Sequence, residues 1–191
     1  MTAPSTPRRR ASARWLRAPR PDAAQVRALE AALRLPRALC ALLVARGLSG
    51  EAEARRYLRP QLEHLHAPGL LTDMDVAVER LARAIGAGEK ILVHGDYDVD
   101  GMCSTTLMTR ALRALGGTVT PFIPDRSTDG YDLGPAGVRA AFELGAGVVL
   151  TCDCGTSAHE SVRELQAAGV DVIISDHHLP GGPLPNALAV L

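Results

Sequence analysis

The sequence predicts an α/β fold: a parallel β-sheet with helices on both faces, preceded by a small helical N-terminal region. Two observations carry this. From residue 90 onward, short apolar runs alternate with stretches of helical length, the rhythm of βαβ units with right-handed crossovers. The first run, Ile91-Leu92-Val93, is continuously apolar, as suits a strand covered on both faces. A third observation concerns chemistry. Metal-ligand residue types follow three of the runs directly, and ligands of such sheets bind outside the carboxyl ends of the strands.

Bulk properties set the frame. The 191 residues make one domain, or a domain with an appendage, and can bury a sizeable core. At 47% hydrophobic the chain is globular rather than disordered. Basic and acidic residues balance at 21 each, so the average says nothing about an anionic partner. The distribution does: residues 1–20 carry Arg8, Arg9, Arg10, Arg14, Arg17 and Arg20 and no acid. Such a segment either touches nucleic acid or is a solvated tail, and its Arg, Pro, Ser and Thr content predicts a poorly ordered tail over 1–21. No apolar run reaches the roughly 18 residues of a membrane span, and no apolar core follows the arginines as a secretory signal would require. A cytoplasmic location is expected. The four cysteines lack small-domain disulfide spacing. Cys152-Asp153-Cys154 also lacks the C-x2-C spacing of a structural zinc site. If 149–152 is a strand, alternation puts both cysteines on one side, as small packing residues, and Asp153 on the other.

The elements follow in order. Asp22 caps a helix running to about residue 35, Pro36 opens a second ending near Gly47, and Ser49-Gly50-Glu51 starts a third that closes before Pro60. Leu39, Leu42, Leu43 and Val44 supply an apolar face. These helices make a region over 22–70, ahead of a main domain over 71–191. Thr72 or Asp73 caps a helix with Met74, Val78, Leu81 and Ile85 on one stripe, stopped by Gly86 and Gly88. Then come strand 90–94, helix 101–115, strand 118–123, helix 135–145, strand 147–152, helix 156–168, strand 170–175 and the start of a strand at 187–191.

Asp96, Asp98 and Asp100 sit within five residues, too close to ionise together without a cation nearby. Alone, such a loop is equally a solvated acidic turn. An EF-hand would need a later Glu and a flanking helix rather than a strand. The fold prediction adds Asp153 behind the third strand and Asp176, His177 and His178 behind the fourth. Carboxylates mixed with imidazoles suit Mn²⁺, Fe²⁺, Co²⁺ or Zn²⁺, and Mg²⁺ less well. Several bridging carboxylates suit two ions about 3.5–4 Å apart, an arrangement that activates water for attack on phosphorus.

The stretches His94-Gly95-Asp96-Tyr97-Asp98-Val99-Asp100-Gly101, Thr151-Cys152-Asp153-Cys154-Gly155 and Ser175-Asp176-His177-His178 resemble motifs one, two and three of the DHH phosphoesterase superfamily, in order and in spacing. Within it the chain is most similar to the RecJ family of single-strand-specific 5′→3′ DNA exonucleases. That likeness rests on Phe122-Ile123-Pro124-Asp125-Arg126 with Gly130-Tyr131-Asp132-Leu133, on Gly155-Thr156-Ser157, and on the leading region with Trp15, Arg46-Gly47-Leu48, Tyr57-Leu58-Arg59-Pro60 and Leu71-Thr72-Asp73-Met74. The resemblance implies a Rossmann-like DHH domain and a metal-dependent hydrolase of single-stranded DNA acting in repair and recombination. It implies two Mn²⁺ (or Mg²⁺) ions and a single-strand binding protein as a possible partner. It makes His94, Asp98 and Asp153 ligands of one ion, and Asp100, Asp153 and His177 ligands of the other. Asp96 lies beside them, Asp176 orients the histidines, and His178 faces the scissile phosphate as a donor. Water activated by the metals is the nucleophile. For Arg126 two readings stand equal, a forked phosphate contact and a surface salt bridge. Ser104, Thr105 and the amides opening the 101–115 helix are further phosphate candidates.

The chain departs from the pattern in three ways. Val99 replaces a small residue, and Asp132 stands where glycine is usual. The resemblance also implies a fourth motif with another metal-binding Asp, a DHHA1 domain and an OB-type single-strand binding domain, none of which falls within the 191 residues. A truncated N-terminal portion, inactive alone, is therefore expected. Two alternatives share the motifs or the fold: a DHH oligoribonuclease, cyclic-dinucleotide phosphodiesterase or manganese pyrophosphatase, and a non-catalytic binding module.

Overall fold

A computed structural model describes Leu16 and residues 18–191, in two compact units that divide between Leu65 and His66. Most of the basic segment 1–21, and Trp15, lie outside the described residues. Among the described residues the first unit holds three α-helices. Asp22 Oδ1 accepts from the amides of Ala24 and Gln25 at 2.9 and 2.8 Å and caps α1 (Ala23–Leu33). α2 (Arg37–Ala45) opens after Pro36 and α3 (Glu51–Leu58) after Gly50. Their shared core is Val26, Leu29, Cys40, Leu43 and Ala54. Of the expected α2 face, Leu43 is buried and Val44 packs partly buried on this core; Leu39 and Leu42 are exposed, and Cys40 takes the other inward position.

The second unit is the expected sheet. α4 (Met74–Ala87) leads into β1 (Lys90–Gly95), α5 (Val99–Ala114), β2 (Thr118–Phe122), α6 (Pro135–Leu144), β3 (Val148–Cys152), α7 (His159–Ala167), β4 (Asp171–Ser175) and β5 (Ala189–Val190). All neighbouring strands are parallel, in the order β2-β1-β3-β4-β5. Leu92, Val149, Val172 and Ile174 face α6 and α7, packing on Leu133, Val138, Ala141, Val162 and Leu165. Ile91, Val93, Val148, Leu150 and Ile173 face α4 and α5, packing on Ala77, Ala84 and Leu112. Burial on both faces explains the unbroken apolar runs. No helix among the described residues is long and apolar enough to cross a membrane.

Two local expectations are corrected. On α4 the buried line is Ala77, Arg80 and Ala84; of the expected stripe, Leu81 and Ile85 pack partly buried against this core, whereas Val78 is exposed and, with Met74, lines a cavity beside the sheet edge. α7 begins at His159 rather than 156, because Gly155 adopts φ 117° and Thr156 is drawn into a side-chain bond described below. Asp73 does precede α4, yet its side chain caps nothing there: Oδ2 accepts from the Val190 amide at 3.1 Å and ties β5 to the start of α4.

Arg80 fastens the opposite edge of the sheet. Its side chain is 7% exposed and meets Glu89 Oε2 at 2.6 Å, Asp171 Oδ2 at 2.5 Å and the Gly147 carbonyl at 3.3 Å. Glu89 precedes β1, Gly147 precedes β3 and Asp171 opens β4, so one guanidinium sets the starts of three strands.

Candidate metal centre

Strand register builds the site. Gly95 of β1 pairs with Cys152 of β3, which pairs with Ser175 of β4. The three strands therefore end level, and the next residue of each is an aspartate: Asp96, Asp153 and Asp176. The sheet order reverses between β1 and β3, since the chain leaves β1 for β2 on one side and returns to β3 on the other. The cluster sits at that switch point, where open α/β sheets bind ligands.

Glycines let the first loop fold tightly. A β-carbon on Gly101 would lie 2.5–2.7 Å from the Asp96 backbone, and one on Gly95 would overlap Thr105 Oγ1. The Asp96 loop thus rests directly on the first turn of α5, with Asp98 as its N-cap, accepting from the Gly101 amide at 3.1 Å. Asp153 adopts φ 65°, and its amide donates to the Ser175 carbonyl at 2.9 Å. That left-handed step breaks the strand alternation. Cys152 packs with the α4/α5 face, whereas Cys154 Sγ lies 3.5 Å from His94 Nδ1. The expected placement of both cysteines on one side is therefore corrected, although both are buried packing residues as expected.

Donor atoms gather into two groups, each with its members within 4.8 Å of one another: Asp96, Asp98 and Asp153, and Asp153, His177 and His178. Asp153 belongs to both. His177 Nε2 stands 2.8 Å from Asp153 Oδ1 and 3.7 Å from Asp100 Oδ2, which brings Asp100 to the second group. His94 stands apart. It is wholly buried, its ring 5.3 Å from that of Phe122, with Nε2 against Gly137 and without a hydrogen-bond partner. Asp176 is held beneath the histidines. One oxygen accepts from Thr156 N at 3.1 Å and Thr156 Oγ1 at 2.8 Å; the other meets His178 N at 3.1 Å and His178 Nδ1 at 2.8 Å.

The electrostatics agree with a cation site. Burial, then the neighbouring Asp100, pushes the Asp153 carboxyl above its ordinary pKa. The Gly101 amide holds Asp98 below its ordinary value. Burial raises Asp176, but the bonds from His178 and Thr156 outweigh it and hold that carboxylate ionised. The Asp176 bond in turn raises His178. Burial lowers His94 to about 4, which keeps the ring neutral. Carboxylates crowded together with two imidazoles, one carboxylate common to both groups, are a donor set suited to divalent transition metals.

The phosphate candidates divide. Arg126 makes no ion pair among the described residues; its guanidinium carbon lies 5.1 Å from the centroid of the Tyr97 ring. Ser104 Oγ lines the cavity with Asp100, Asp153 and His177, while its proton is given to the Asp100 carbonyl at 2.6 Å. Thr105 is buried under Gly95 with Oγ1 unpartnered, away from the surface. Motif reasoning overlooked Thr156, whose signal was its place next to Gly155, and Gly137, whose signal was a glycine early in a helix. Asp132 adopts a left-handed conformation that glycine takes more readily, at φ 74°, with Oδ1 accepting from the Leu133 amide at 2.8 Å.

A doubly wound parallel sheet carrying this cluster at its carboxyl edge defines a protein of the metal-dependent phosphoesterase class. The chain belongs to the DHH family: residues 90–191 match that family's N-terminal domain. It is similar to the single-stranded-DNA-specific exonuclease RecJ of Bacillus subtilis, 36% identical over 172 residues, covering 90% of this chain and 22% of that protein. RecJ of Escherichia coli is 38% identical over 158 residues, covering 82% and 27%. Among solved structures, RecJ of Thermus thermophilus in complex with Mn²⁺ superposes with a TM-score of 0.64 at 36% identity, covering 88% of this chain and 23% of that one. A second, an exonuclease RecJ bound to manganese, gives 0.56 at 43% identity, covering 61% and 30%. The chain thus spans about a quarter of the length of the relatives it matches.

Proposed function

We propose that the chain is the metal-binding part of a nuclease that hydrolyses single-stranded DNA from its 5′ end, in DNA repair and recombination. The observation that carries the reading is Asp153, buried at a strand end and common to both donor groups. Asp96, Asp98 and Asp153 would hold one ion, and Asp100, Asp153 and His177 the other. Manganese is the ion bound by the similar RecJ structures. Two ions held there would supply water activation and charge stabilisation for in-line displacement at phosphorus. The protein's own groups do the positioning. Asp176 accepts from His178 Nδ1–H and favours the doubly protonated ring, the form in which Nε2 donates to a phosphate oxygen. Thr156 fixes Asp176 from below. His94, neutral and enclosed, supports the Asp96 and Asp153 loops through Cys154 rather than meeting the ions.

Calorimetric titration with Mn²⁺ tests the site, and single-stranded DNA labelled at either end tests the activity. The reading expects Mn²⁺ binding that falls at least tenfold in Asp153→Asn and Asp98→Ala, on the scale of lost metal-site interactions. It also expects Mn²⁺-dependent release of the 5′ label as mononucleotide. Equal binding by wild type and Asp153→Asn would overturn the metal assignment. Release only from very short oligonucleotides would move the activity to the oligoribonuclease branch.

A further inference from the structure

The first unit leaves much of its apolar surface outside its own core. Val26, Leu29, Cys40, Leu43 and Ala54 are enclosed, whereas Leu39, Leu42 and Leu58 stay half-exposed. Those three leucines are not scattered. Leu39, Leu42 and Arg46 lie on one stripe of α2 (i, i+3, i+7), and Arg55, Leu58 and Arg59 on one stripe of α3 (i, i+3, i+4). The two stripes wall a groove of about 310 Å³, and its lining holds arginines but no acid. Arg55 is occupied, donating to Glu51 Oε1 and to the Ala32 carbonyl at 2.8 Å each. Arg46 and Arg59, which follow the last turns of α2 and α3, make no ion pair among the described residues.

We propose that this groove docks a short amphipathic helix of a partner protein, with leucine-like residues on one face and Asp or Glu beside them. The groove between two packed helices takes the ridge of a third, read as anchors at i, i+3, i+4 and i+7. The nine residues of α2 span about 13.5 Å, so roughly two to three turns match its length. An extended peptide would need a strand edge, and the first unit has no strand among the described residues. Carboxylates on the docked helix meet Arg46 and Arg59 at the rim, where charge selects the partner more than it holds it. Phosphates of a nucleic acid would meet the same arginines, but the leucines offer its bases no ring, and Tyr57 is the sole aromatic in the lining. The inference is independent of the phosphodiester reading, since no residue of the metal centre takes part.

The test is fluorescence anisotropy of the full chain with three labelled, end-capped model peptides. The first carries leucines at i, i+3, i+4 and i+7 flanked by glutamates on an alanine background. The second has lysine for every glutamate, and the third has the first peptide's composition with its leucines spread around the helix. The first should bind most tightly. Leu42→Ser should weaken it at least about tenfold, with an unchanged circular dichroism spectrum because Leu42 is exposed. Arg46→Glu combined with Arg59→Glu should reverse the preference from the glutamate to the lysine peptide. Equal binding of the first and third peptides, or binding that Leu42→Ser leaves intact, would overturn the proposal. So would an oligothymidylate that displaces the first peptide, which would make the face one for nucleic acid. A dimer in sedimentation that Leu42→Ser disperses would make the occupant a second copy of the chain, and would overturn it too.

Discussion

His94 is buried yet titratable, and its replacement by glutamine gives a measurable pH signature. The ring is wholly inaccessible, and burial lowers its pKa to about 4, against an ordinary value of about 6.5. Between those values the unfolded chain takes up a proton that the folded chain refuses. Stability is therefore fully present above about pH 6.5 and is lost as pH falls toward 4. At about 1.4 kcal/mol per pKa unit, the loss reaches about 2 kcal/mol at about pH 5 and levels off near ~3.4 kcal/mol below 4. His178 titrates with the opposite sign. Asp176 raises its pKa, so its contribution is full below the ordinary value and lost as pH rises through the folded value. The two overlap in the wild type, so the informative quantity is a difference. Urea unfolding of wild type and His94→Gln, followed by circular dichroism with a chelator present, should be compared at about pH 7.5 and about pH 5. The wild type should lose about 2 kcal/mol relative to the variant over that interval. A difference that stays constant with pH would refute the buried neutral imidazole.

Three further outcomes follow from the packing. Gly137→Ala would set a methyl 2.5 Å from His94 Cδ2 and 2.9 Å from Leu133 Cδ1. It should destabilise by about 1–3 kcal/mol through overpacking, where alanine at an open helical site would stabilise; a raised melting temperature would contradict the close approach. Arg80→Met should destabilise by about 1–3 kcal/mol, less than a fully enclosed pair because Glu89 and Asp171 keep water on one side. Urea unfolding of Arg80→Met indistinguishable from wild type would remove Arg80 as the fastener of the strand starts. In thiol labelling of the native chain, exposed Cys103 should react at once, while Cys40, Cys152 and Cys154 react only on unfolding. Burial pushes Cys152 up to about 12 and leaves little thiolate at neutral pH.

The sheet was legible because its cause is written locally. Ile91-Leu92-Val93 and Val148-Val149-Leu150 are apolar without alternation, and that pattern has few causes other than burial on both faces. The convergence of Asp96, Asp153 and Asp176 was legible for a related reason. Once the strands are parallel, their carboxyl ends share one edge, and the register pairing Gly95, Cys152 and Ser175 makes the edge level. What escaped the sequence depends on backbone conformation and on packing between distant segments. A period of two, continued through Asp153, places Cys154 beside Cys152; the left-handed Asp153 turns Cys154 to His94 instead, and nothing in the local residues announces that turn. A histidine in a motif reads as a ligand, and nothing local shows that the edge of the His94 ring rests against Gly137, 43 positions further along the sequence. The same holds for Tyr131. Its loop was recognisable by likeness, but its place beside His178 arises only when the loop after β2 and the end of β4 meet over the sheet. Residue type and order thus determine which chemistry gathers at the edge. The close contacts of glycines and left-handed residues decide how those side chains are arranged around it.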